Sequence, residues 1–134
     1  MKKKLFEAQR ARAAAVFDWW EPVLGLRFWR VERFYHREPS AIFESGETNS
    51  GTAAMIWAKW EYIEVRIDIN TPLLPEFDDD RLEEVIVHEL CHALVNELKE
   101  PDPDGKHEER VVSHLSAAFR QVRDRARAEA LNGQ

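Results

Sequence analysis

His88-Glu89-Leu90-Cys91-His92 lies within Val85–Val95, a stretch whose only charged residue besides the histidines is Glu89, and it constrains this chain more than any other segment. Leu82, Ile86, Val87, Leu90, Cys91, Ala93, Leu94 and Leu98 cover the helix that this spacing predicts on almost every side. A helix apolar nearly all round is a buried one. The rest of the chain must therefore wrap it, and two imidazoles and a carboxylate taken inside with it need partners. At about 100° per residue, His88 and His92 are only about 40° apart, so both leave the same side of the helix. Hydrogen-bonded core histidines would answer the spacing, but two neutral imidazoles on one side are also a ready pair of zinc ligands. Glu89 falls about 100° from His88, placed to hold a water beside the metal and not to ligate it.

A catalytic zinc needs a third protein ligand and one open position. The next helix, predicted from Lys106 to about Ala130, offers His107, Glu108, Glu109 and His114. Val111, Leu115, Ala118, Phe119 and Val122 set its apolar face, centred about 40° from Val111. Glu108 falls at about 60°, within that face, whereas Glu109 falls at about 160°, His107 at about −40° and His114 at about −60°. Glu108 is thus the expected third ligand and Glu109 the reserve. Glu108 and Glu109 as plain first-turn acids complementing the helix dipole is the other reading. Cys91 faces the apolar side and reads as a small buried hydrophobe. His36 reads as a surface histidine, and Trp57 and Trp60 as packing on the sheet.

The chain has 134 residues, 44% of them hydrophobic and 33% charged, with a single cysteine. That is one domain's worth, 1–134, able to close a core without disulfides. A lone cysteine and the lack of a secretory apolar run predict a cytoplasmic protein. The net charge of −6 is uneven: residues 1–12 carry +4, residues 118–134 carry +2, and the stretch between carries −12. An acidic body of that size disfavours nucleic acid as a partner, and no run is long enough to engage a membrane as a span.

Around the motif, residues 4–20 predict a helix that Pro22 and Gly25 break. Leu26–Arg37 reads as a strand, Ala41–Phe43 as a possible short one, and Glu44–Gly51 as a loop. Thr52–Trp60 is strand-like, and Ile63, Val65, Ile67 and Ile69 alternate with polar residues, predicting a hairpin that turns near Lys59–Glu61. A proline-bearing loop over 70–79 leads to Asp80-Arg81-Leu82-Glu83, which has the form of a capping box. The order of elements predicts an α+β fold with a small, mostly antiparallel sheet.

His88-Glu89-Leu90-Cys91-His92 followed by Glu108-Glu109-Arg110-Val111-Val112 resembles the small zinc-dependent peptidase-like domains called minigluzincins. The apolar strand and proline-bearing loop before the motif are similar to those of ImmA-type and SprT-like members, a kind of domain common in phages and prophages. Leu24-Gly25-Leu26 with Trp29 and Val31 adds a fainter likeness. The resemblance implies a zincin-like fold: an N-terminal backing helix, a twisted sheet, the motif helix beneath it and a C-terminal ligand helix. It also implies that Ala53–Ala58 offers an edge strand to an extended peptide. Zn²⁺ on His88, His92 and Glu108, with Glu89 as general base, would then make a metallopeptidase acting on a peptide or protein. The alternative is a weakly active or inactive zincin-fold protein that binds a peptide or protein partner.

Overall fold

Ala13, Phe17 and Trp20 recur at helical spacing, and all three are buried on one side of α1 (Lys3–Val23). The computed structural model describes residues 1–38, 43, 52–99 and 104–133. Pro22 is carried in the last turn of α1, and Gly25, at φ +75°, supplies the left-handed residue that ends it. Arg12 ties this helix to a distant segment. Its guanidinium donates to the carbonyls of Leu74 at 3.2 Å and Phe77 at 2.6 Å, and to the Asp79 carboxylate at 2.8 Å.

The predicted first strand is shorter than its composition suggests. Leu26–Phe28 coils into a 3-10 turn, and β1 runs Arg30–His36. The possible strand at Ala41–Phe43 and the loop at Glu44–Gly51 lie outside the described residues, except for Phe43, which is buried with its ring edge-on to His36. β2 (Ala54–Lys59) and β3 (Glu64–Asn70) form the expected antiparallel hairpin. Its turn is Trp60–Ile63, with Ile63 at φ 49°, uncommon for a β-branched residue. Ile63 therefore leaves the alternation it seemed to begin and is 46% exposed.

Among the described residues the sheet is mixed and not mostly antiparallel: the order is β1-β3-β2, and β1 pairs parallel with β3. A tight hairpin forces β2 and β3 antiparallel. The long connection from His36 to Ala54 leaves β1 free to reach the far edge of β3 in the parallel sense. Val65, Ile67 and Ile69 of β3 enter one core with Phe17, Trp20 and Leu90. Asp68, on the strand's polar side, is buried too. Burial works against its charge, but Arg66 at 2.9 Å and His36 at 2.7 Å outweigh it and hold the carboxyl below its usual range. His36 is thus a half-buried partner of Asp68, whereas Trp57 stands 54% exposed and packs little.

α2 (Asp79–Val95) carries the motif and packs against α1, β2 and α3. Leu82, Ile86, Val87, Leu90, Cys91 and Ala93 are buried, which makes it the central helix its composition demands. Its cap is Asp78, whose side chain accepts from the Arg81 amide at 2.7 Å; the expected capping box at Asp80 stands two residues too late. A 3-10 turn over Asn96–Lys99 ends the run, and α3 (Lys106–Asn132) follows. The buried line of α3 is Glu108, Val112 and Ser116, not Val111, Leu115 and Phe119, which are only partly covered.

Candidate metal centre

One turn of α2 sets His88 and His92 side by side, with ring centroids 5.0 Å apart and planes at 73°. The first turn of α3 comes to meet them. Glu109 reaches both rings with one carboxylate: Oε2 lies 3.3 Å from His88 Nε2 and Oε1 lies 2.9 Å from His92 Nε2. One donor atom from each of these three residues fits within 4.8 Å of the others, a group that could hold a metal ion. Two imidazoles and one carboxylate suit zinc, so the residues present fit that ion.

Glu108 is brought elsewhere. Its Oε1 is 2.8 Å from Nδ1 of His92, and both side chains are nearly covered, 6% and 12% exposed. Glu108 faces the core as expected, but the carboxylate that converges with the two imidazoles is that of Glu109, the reserve. The reason is helix phase. The buried line through Glu108, Val112 and Ser116 centres about 100° from Val111, some 60° beyond the centre inferred from apolar residues alone. That rotation puts Glu108 and Glu109 on either flank of the contact with α2. Glu108 goes under His92, and Glu109 comes to the open side, 56% exposed. A carboxylate accepting from Nδ1–H fixes the ring and leaves the Nε2 lone pair outward, the role such outer partners play behind ligating histidines. No sequence signal separated these roles, since both glutamates occupy the same turn.

Glu89 lines the cleft beside the pair. Burial, and secondarily the Glu109 carboxylate, push its pKa to about 8. For His88 burial dominates, helped by His92, and its pKa falls despite Glu109. Both shifts favour neutral groups in the metal-free site. Cys91 is buried, and burial pushes its thiol to about 12, consistent with the inert packing role read from its position.

The raised Glu89 has a measurable consequence in metal-free protein. Its contribution to stability is complete below pH 4.5 and is lost as pH rises through about 8, because the unfolded chain releases the proton first. Glu89→Gln cannot ionise. Relative to wild type, its stability in chelator should therefore improve by roughly 1–3 kcal/mol between pH 5 and pH 8.5. Urea denaturation at the two pH values measures this, and a constant difference would show Glu89 to be well solvated.

A cleft of about 700 Å³ opens from His88 and Glu89. One wall is the approach to β2, at Thr52 and Ala53, with the first strand residue, Ala54. Leu73, Phe77 and Val85 line it as well. Within the described sheet β2 is an edge strand, and its first residue, Ala54, lines this opening.

Residues 28–129 match the SprT-like family. The chain belongs to the SprT-like family. That family is related to the zincin metallopeptidases, and its match runs from the turn before β1 through nearly all of α3. Comparison with curated proteins and with solved structures found no match. The α+β architecture agrees with a small zincin-like SprT-like domain, and no helix among the described residues is long and apolar enough to cross a membrane.

Proposed function

We propose that this SprT-like chain is a zinc-dependent peptidase, with His88, His92 and Glu109 as ligands and Glu89 as general base. The observation that carries the reading is the meeting of two Nε2 atoms from α2 with one carboxylate from α3, at the end of a cleft that Glu89 also lines. Zinc bound there would supply Lewis acidity, lowering the pKa of a water toward about 7 and polarising a carbonyl. The chain's own groups do the rest. Glu89, ionised beside a bound cation, would take a proton from the attacking water and return it to the leaving amine. Glu108 holds His92 by Nδ1 and keeps its ring from turning. The β2 edge offers backbone hydrogen bonds to an extended peptide substrate, which supports a peptide as the ligand class. A partner-binding protein without turnover would share all of these features except the use of Glu89.

Metal content is the first test. Protein purified without chelators and resupplied with zinc should carry about one zinc per chain by elemental analysis, and His88→Ala should lose it. Less than a tenth of an equivalent in the wild type would end this reading.

A further inference from the structure

Three apolar side chains in the cleft are left half covered, all within reach of the proposed chemistry. Val85 stands three and four residues before His88 and Glu89, one turn back along α2. Leu73 and Phe77 come from the segment that precedes this helix. The lining residues on the strand side are small: Ala53, just before β2, and Ala54, its first residue. That strand entrance is held firmly, because Asn70 donates its amide N–H to the Ala53 carbonyl at 2.8 Å and its side-chain Nδ2 to the Thr52 carbonyl at 3.1 Å. The rim is charged. Arg81 sits over the Phe77 ring at 5.8 Å and is engaged by Glu84 at 2.9 Å, and Glu76 and Glu89 add carboxylates to the lining.

We propose that this notch is a specificity pocket, which takes a leucine- to phenylalanine-sized apolar side chain of an extended peptide beside the bond to be cut and rejects an acidic one. An extended chain lying along β2 turns alternate side chains toward the cleft. The one nearest His88 and Glu89 meets Val85, Leu73 and Phe77, whose uncovered carbon is removed from water only by an apolar group. An aspartate there would be taken from water against apolar carbon beside the Glu76 carboxylate, while the Arg81 guanidinium is already paired to Glu84. The ligand class rests on the peptidase reading above; the preference does not depend on turnover.

Binding to the Glu89→Gln protein, zinc-loaded and zinc-free, tests it. The probes are fluorescein-labelled Ala/Gly heptapeptides that differ only at the central residue: Leu, Phe, Gly or Asp. Anisotropy titration should give at least tenfold tighter binding for Leu and Phe than for Gly and Asp. Phe77→Ala and Val85→Ser should each reduce that ratio below threefold, and either one that keeps its far-UV circular dichroism suffices. Equal affinities, no binding by any peptide, or a ratio unchanged in a folded variant would overturn the pocket. If wild-type protein cuts none of the peptides while the preference persists, hydrolysis fails and the pocket stands. Cutting without preference does the reverse.

Discussion

Glu89→Gln should keep its zinc and lose peptide hydrolysis by at least ~10²-fold. Glutamine preserves the shape of the side chain that lines the cleft and removes its ability to take a proton. Glu89 is not among the residues whose donor atoms converge, so the metal should be indifferent to the change. Metal content by elemental analysis, set beside turnover of a quenched peptide, reads both halves at once. If the variant loses zinc instead, Glu89 is a ligand and the division of labour on α2 is wrong. If turnover is unaffected, the base lies elsewhere.

The second large effect separates the two glutamates of α3. Glu108→Ala removes the group behind His92 and should weaken zinc by ~10–100-fold, the usual cost of an outer partner. Glu109→Ala removes a ligand atom and should weaken it further, making thermal stability insensitive to added zinc. His107→Ala should change zinc affinity by less than about threefold, because its donor atoms lie outside the converging group. Competition against a chromophoric chelator measures all three. A larger loss in Glu108→Ala than in Glu109→Ala would restore the original angular assignment. A loss confined to His107→Ala would make that imidazole the third ligand.

What could be read from the residues follows how steeply burial selects for them. The central helix was legible because an all-round apolar surface admits one placement, and His88, Glu89 and His92 came with it as a rigid triple on one turn. The long α3 was legible at both ends. Its rotation was not, because it is an amphipathic helix whose buried line includes Glu108 and Ser116, polar residues that no apolar pattern marks as inward. A difference of some 60° in that phase is enough to bring Glu109, and not Glu108, to the Nε2 side of the two imidazoles. Strand pairing was half legible: the hairpin is local, whereas the parallel partnership of β1 and β3 depends on where a long connection delivers the chain. Asp68 reads as a wet residue by alternation and is buried only because His36 and Arg66 happen to reach it.

The family match begins at residue 28, after α1 has ended, yet the guanidinium of Arg12 grips the backbone that carries Leu73 and Phe77. The part of the chain that a relative would recognise is therefore smaller than the part that shapes the cleft. Trimming the protein to its recognisable span would remove Phe17 and Trp20 from the core and take the Arg12 guanidinium from the Leu74 and Phe77 carbonyls, of which Leu74 keeps the Phe77 amide as donor. That flank of the cleft would then rely on its own prolines, the Asp78 cap and the burial of Thr71 and Leu74. A segment outside the matched span thus acts as a buttress, so substitutions in α1 would retune what the cleft accepts while His88, His92, Glu108 and Glu109 stayed the same.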